Sequence, residues 1–197
     1  MQRTLPPNLI KSSKTKRLSR LLITASILFG ACALLIFIFM TGGSSLGGSN
    51  ALGRQYQSHT LFLLPLDMET VPYVYFQDDD GINKVILPNT TENELLVLHT
   101  QIGNHAAEST TLDIEGEPAE IRTKDGTSFL SLNLLQAAIP SSTSYADKDK
   151  FVPFLRGRQE VLRNYHLDGW LVFEVPIDTT FSLLRWEISG DVIRIDL

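Results

Sequence analysis

Several short groups of polar residues have the types that metal or anion chemistry requires. Asp78, Asp80 and Asn83, with Gly81 among them, resemble half of a calcium loop, in which oxygen ligands alternate and a glycine permits the turn. A full calcium site needs six to eight oxygens, and no bidentate glutamate follows at the required spacing. The sequence leaves open whether this segment binds calcium or is a solvated hairpin turn.

A second group lies in the stretch Arg156–Arg163, where Arg156, Arg158 and Arg163 form a basic cluster. Guanidinium groups bind phosphate and carboxylate, so the cluster could bind an anionic surface such as lipid headgroups or a cell-wall polymer. Equally, these arginines could balance neighbouring acids.

The remaining ionisable residues predict no chemistry. The four histidines are scattered along the chain: His59, His99, His105 and His166. A zinc site would need three ligands that meet in space. The single cysteine, Cys32, precedes the acidic part of the chain, which excludes a disulfide scaffold or a Cys-x-x-Cys site there. Carboxylate pairs such as Glu115/Glu117 and Asp147/Asp149 are expected by chance among 22 acids. We therefore predict no catalytic residue, no metal and no cofactor.

Two further local motifs occur in the chain. Residues 43–47 match the Gly-x-Ser-x-Gly nucleophile pattern, but that pattern needs a strand before it and a helix after it. Here it stands in a Gly/Ser-rich segment, so a catalytic role is not predicted. Asn89-Thr90-Thr91 is a glycosylation acceptor pattern, relevant only in a glycosylating host.

The element that organises the chain is Leu21–Met40, twenty residues without a charge. A helix of that length is roughly 30 Å long, about the thickness of a bilayer core. Six basic residues and no acid precede it, whereas all 22 acids and 11 basic residues follow it. The positive-inside rule places the N-terminus in the cytoplasm and the C-terminal part outside the membrane.

Two alternatives to a single-pass anchor remain. A signal peptide could be cleaved near Ser49-Asn50-Ala51, although the apolar run is longer than such peptides require. Gly30-Ala31-Cys32 could end a lipoprotein signal, with Cys32 lipidated. Ser26 and Gly30 form one small-xxx-small pair, which could support weak self-association through the span.

The predicted organisation has four parts: a basic cytoplasmic tail (1–20), the transmembrane helix (21–40), a Gly/Ser-rich linker (41–53) and an extracytoplasmic domain (54–197). The net charge of −11 after the span disfavours nucleic-acid binding, because such a domain repels phosphates. Short apolar and β-branched runs, separated by turn residues about every ten positions, predict an all-β sandwich. In the strongest strand, 94–102, alternate residues should face opposite sides. Leu130–Ile139 could be a short helix, and 152–155 could be a strand. Trp170 and Trp186 lie in apolar strands and should be core.

Two segments together resemble a known family. One is Leu95–Asn104, LLVLHTQIGN, followed by an Asp125-Gly126 turn; the other is 167–176, LDGWLVFEVP. They are similar to the telokin-like, immunoglobulin-type extracellular domain of many bacterial membrane-anchored proteins and lipoproteins. That family shows an apolar strand ending in Asn, an Asp-Gly turn, then a Gly-x-x-x-Phe-x-x-Pro strand. The resemblance implies an immunoglobulin-like β-sandwich outside the cell and no enzyme activity.

The chain departs from that pattern at Leu130–Lys150 and at Arg156–Arg163, so a specific role could lie there. The sequence thus predicts a non-enzymatic, membrane-anchored module that binds an envelope protein. The alternative is an accessory subunit of a larger membrane complex whose span makes the main contacts. An enzyme, metal-dependent or hydrolytic, is the less favoured interpretation.

Overall fold

The computed structural model describes residues 51–197, and that part of the chain contains thirteen strands and one short helix. In chain order the elements are β1 (Tyr56–Gln57), β2 (Leu61–Val71), β3 (Val74–Gln77), β4 (Asn83–Ile86), β5 (Asn93–Asn104), β6 (Ser109–Asp113), β7 (Glu120–Thr123), β8 (Ser128–Leu130), α1 (Leu134–Ala137), β9 (Ile139–Pro140), β10 (Arg158–Leu162), β11 (His166–Pro176), β12 (Phe181–Ile188) and β13 (Asp191–Asp196).

The centre of the fold is a four-stranded sheet in the order β1-β2-β5-β11. β5 pairs antiparallel with β2 on one side and with β11 on the other, and the β5–β11 register runs unbroken from Asn93↔Pro176 to Gly103↔His166. β5 is twelve residues long and almost wholly buried, because both of its faces are covered by other elements.

On one face, the central sheet packs against a second sheet, β13-β12-β7-β8, and against the β6–β10 pair. Leu96, Leu98 and Ile102 of β5 share this core with Ile121 of β7 and Trp186 of β12. Burial of these side chains is the main force that holds the two sheets together. The described part of the chain is therefore a β-sandwich.

On its other face, the central sheet is covered in part by a third, smaller sheet, β3-β4-β9. Leu95 and Val97 of β5 pack there with Phe76 of β3 and Phe151. The prediction that alternate residues of this strand face opposite sides is confirmed. The second core also explains why β5 reads as a near-continuous apolar run rather than as an alternating one.

Most predicted strands are present, with ends shifted by a few residues. Leu134–Ala137 forms the helix considered for that region, and its N-cap Asn133 accepts hydrogen bonds from the amides of Leu135 and Gln136. The prediction of a strand over 152–155 is wrong, because this segment makes only an isolated parallel bridge between Phe154 and Trp170. Both tryptophans belong to the core, as predicted: Trp186 is fully buried and Trp170 is 8% exposed.

The packed part of the chain begins slightly before the predicted start of the domain at position 54. Ala51 is buried and the Gly53 amide donates to the Pro65 carbonyl at 2.7 Å, so packing begins before position 54.

In residues 51–197 we find no helix that is both long and apolar enough to cross a membrane. The predicted span Leu21–Met40, with Cys32, and the motif at 43–47 lie outside the described residues.

Candidate functional site

A cleft of about 500 Å³ opens between the turn that joins β3 to β4 and the segment that leads into β10. Its lining combines aromatic, aliphatic and charged side chains: Phe76, Gln77, Asp78, Asp79, Asp149, Val152, Pro153, Phe154 and Arg156. A concave site of this size with a few converging polar groups is typical of ligand-binding sites in proteins.

The wall of the cleft is held on the central sheet by backbone hydrogen bonds. The Trp170 amide donates to the Pro153 carbonyl at 2.9 Å, and the Leu155 amide donates to the Trp170 carbonyl at 3.0 Å. This close approach requires glycine at position 169, since a Cβ there would stand 2.7 Å from the Pro153 oxygen. Phe154 then meets the buried Phe76 edge-on, with ring centroids 4.8 Å apart.

One rim of the cleft is a network of charges around Asp78. Its carboxylate accepts hydrogen bonds from the Lys84 ammonium group and from the Asp79 amide, and these bonds, aided by the nearby charges of Lys84 and Arg156, lower its pKa. Arg156 donates to Asp79 at 2.6 Å and lies 3.6 Å from Asp78. Asp78 is thus ionised, and two cationic side chains, Lys84 and Arg156, lie beside it.

Asp149 also lines the cleft. Its backbone is in the left-handed region, with φ of 61°, which Asp and Asn tolerate better than most residues. Its amide donates to the Tyr75 carbonyl at 3.0 Å, and its Oδ1 accepts from the Gln77 amide at 2.7 Å. Among the described residues no donor reaches its second oxygen, Oδ2. The side-chain Nε2 of Gln77 donates to the Gly81 carbonyl, which leaves the side-chain Oε1 as an acceptor.

The cleft brings together three segments that the sequence singled out separately. Asp78 comes from the calcium-like loop, Arg156 from the arginine stretch, and Asp149 from the end of Leu130–Lys150. Within residues 51–197 no three His, Cys, Asp or Glu side chains are placed to hold a metal ion.

Arg163 lies apart from the other two arginines of the cluster. Arg158 begins β10 and Arg163 follows its end, so a five-residue strand, roughly 16 Å long, lies between them. Arg163 donates to the Ala107 carbonyl at 3.4 Å. The structure therefore does not form the single basic patch that the sequence suggested.

A second polar group, which the sequence analysis missed, lies on the β5–β11 pair. His99 Nε2 contacts Asp168 Oδ1 at 2.9 Å, Gln101 donates to Asp168 Oδ2 at 2.7 Å, and the His99 ring stacks on Trp170 with centroids 4.6 Å apart. The hydrogen bond with His99, followed by that from Gln101, lowers the pKa of Asp168. The i, i+2 spacing on both strands was a usable signal, but only the register shows that His99 lies opposite Trp170.

Some of the remaining candidates have structural partners, whereas the buried Glu115 Oε1 has none among the described residues. His105 Nε2 lies 3.2 Å from the Ser58 carbonyl, and Glu117 accepts from the Ser189 amide at 2.8 Å. Asn89 donates its side-chain amide, the acceptor of the glycosylation pattern, to Glu174. Asp147 lines a smaller neighbouring cleft of about 240 Å³ and not the one lined by Asp149.

The fold defines this part of the chain as a β-sandwich domain. No protein-family model matches the sequence, and no curated protein matches it. Among solved structures, it is similar to the yjhA protein from Bacillus subtilis, with 10% identity, a TM-score of 0.42, and coverage of 69% of this chain and 78% of that one. It is also similar to an uncharacterized β-sandwich protein from Clostridium difficile 630, with 11% identity, a TM-score of 0.40, and coverage of 73% and 89%.

Proposed function

We propose that the chain is a single-pass, membrane-anchored module whose β-sandwich binds an envelope protein outside the membrane and catalyses no reaction. The anchor is Leu21–Met40, and the basic residues before it keep the N-terminus in the cytoplasm. The telokin-like, immunoglobulin-type family is the finer assignment that we propose for the sandwich.

The observation that carries the proposal is the cleft between the β3–β4 turn and residues 149–156. Its charged groups are arranged for recognition: Arg156 is oriented by two carboxylates and Asp149 by a backbone amide. Fixed polar groups beside an apolar floor give specificity in binding. Loops and segments outside the central sheet build this cleft, which is where binding residues commonly lie on a rigid scaffold.

A second candidate is an accessory subunit of a larger membrane complex. It is favoured by exposed apolar side chains in the segment after β7: Leu130 is 57% exposed, Leu135 is 63% and Ile139 is 51%. Contiguous exposed apolar surface is typical of interfaces that another protein covers, and these three residues are close together in the chain.

The test is recovery of partners from gently solubilised membranes with the intact chain and with a chain whose Leu21–Met40 is replaced by an unrelated span. Recovery of the same partner by both chains supports the module. Loss of the partner on span replacement would favour the subunit, and recovery of no protein by either chain would contradict both candidates.

A variant with Leu135→Ser and Ile139→Ser, run beside these two chains, tests the apolar segment. We expect it to retain the partner if the cleft is the binding site.

A further inference from the structure

We infer that the cleft receives the basic side chain of a lysine or arginine that the partner protein presents. The inference rests on the proposed binding function and names the chemistry of that same site.

The cleft presents free hydrogen-bond acceptors. Oδ2 of Asp149 and Oε1 of Gln77 have no donor among the described residues, and Asp79 is 85% exposed with one oxygen turned to Arg156. A ligand that satisfies these atoms must donate hydrogen bonds. An ammonium or guanidinium group donates several and also neutralises the carboxylate charge.

The one guanidinium of the cleft does not favour an anionic ligand. Arg156 already contacts Asp78 and Asp79, so an anion would have to displace a carboxylate that is fixed in the chain. With Lys84 included, three carboxylates face two cations, and the cleft keeps a negative charge. The surrounding domain is acidic as well, which raises the local concentration of cationic groups and speeds their association.

The shape of the cleft suits a cation carried on an aliphatic stem. Val152 is 38% exposed, and with Pro153 and the half-buried Phe154 it forms an apolar wall beside the polar rim. Lysine and arginine bury their methylene stems along such a surface and keep the charged end at polar groups.

Asp149→Asn is the decisive variant. Asparagine tolerates the left-handed backbone at this position and keeps an oxygen for the Gln77 amide, but it places a donor where the free acceptor was. Asp147→Asn is the matched control, since Asp147 is also left-handed, with φ of 55°, exposed and acidic, yet lines the neighbouring cleft.

The measurement is saturation-transfer NMR on the full chain in uncharged detergent micelles. The probes are Nα-acetyl-lysine amide and Nα-acetyl-arginine amide, with Nα-acetyl-norleucine amide as the uncharged isostere. We expect both basic probes to bind and norleucine amide not to bind. Asp149→Asn should weaken binding of the basic probes at least about fivefold, whereas Asp147→Asn should leave their binding unchanged. Added salt should weaken binding of the basic probes to the unmodified chain.

Equal binding of the norleucine probe, or unchanged binding to Asp149→Asn, would overturn the inference. Tighter binding of spermidine than of the lysine probe would overturn the assignment to a protein side chain. If partners are recovered from membranes while the basic probes fail, the inference falls and the proposed function stands. If the basic probes bind but no partner is recovered, the proposed function falls, and the assignment of the cation to a partner's side chain falls with it.

Discussion

Asn104 ends β5 and is fully buried, although its side-chain amide carries both a hydrogen-bond donor and an acceptor. Its Nδ2 donates to the carbonyls of Ala107 and Val161 at 2.9 and 3.0 Å, and its Oδ1 accepts from the amides of Ala106 and Ala107. One residue thus satisfies four backbone groups where β5, the following loop and β10 meet.

We predict that Asn104→Ala lowers the free energy of unfolding by about 2–4 kcal/mol, because it leaves backbone groups without partners in a buried site. The measurement is chemical denaturation of the full chain in detergent. Asn133→Ala, which removes a partly exposed helix cap, is the comparison and should have a smaller effect, of about 1 kcal/mol or less. Equal losses in the two variants would contradict the role assigned to Asn104.

Residue types alone predicted part of the candidate site. The sequence singled out Asp78, Arg156 and the end of Leu130–Lys150 as unusual, and all three contribute to the cleft. It did not predict that Arg156 contacts Asp78 and Asp79, since 77 residues separate Arg156 from Asp79. Long-range ion pairs depend on which loops the fold brings together, and local patterns do not report this.

At the scale of elements, β11 is the strand on which the cleft depends. One edge pairs with β5, and the other is covered by residues 131–132 and 153–155 rather than by a strand. Covering an edge in this way removes a site for unwanted strand pairing. It also places the 153–156 segment where it can form the wall of the cleft.

We predict that Gly169→Ala loosens this cover, because its Cβ would meet the Pro153 oxygen at 2.7 Å and the Leu155 nitrogen at 3.1 Å. The backbone of 153–155 must then move away from β11. Hydrogen exchange of the Leu155 and Trp170 amides should speed up at least about tenfold, the effect of losing about 1.4 kcal/mol of local stability.

The internal control for Gly169→Ala is the Leu184 amide in β12, which lies in the other sheet and should keep its protection. Faster exchange at all three amides would indicate global destabilisation and contradict the local role of Gly169.

Elements were predicted best where periodicity is strong. β5, β11 and β12 were evident from their apolar runs, whereas β1 and β8, with two and three residues, carry too little pattern to detect. Residues 152–155 read as a strand because Val152 and Phe154 are strand-forming types. In the fold they cover the edge of β11 and make one bridge only.

At the scale of the whole molecule, charge is the dominant surface property. The part of the chain after the predicted span carries 22 acidic and 11 basic residues. The ion pairs in the described residues are mostly at the surface, where each contributes little. Mutual repulsion of the excess acids should therefore oppose folding.

We predict that the melting temperature of the full chain in uncharged detergent rises by about 2–4 °C between roughly 20 and 300 mM NaCl, as salt screens this repulsion. The matched variant changes Asp80, Glu108 and Asp178 to their amides; all three are exposed, and no described residue pairs with them by a salt bridge. Its melting temperature should rise less. A fall with salt would mean that attractive pairs dominate instead.

The sequence by itself determined the β-class of the domain, the alternating faces of β5, the core positions of both tryptophans and the excess of acids, because these follow from local periodicity and composition. The prediction of an anchor at Leu21–Met40 follows in the same way and stays a prediction. Only the tertiary structure decided that β5 is covered on both faces and that Asp78, Asp149 and Arg156 share one cleft. Those results depend on contacts between residues far apart in the chain, and such contacts are set by how sheets pack.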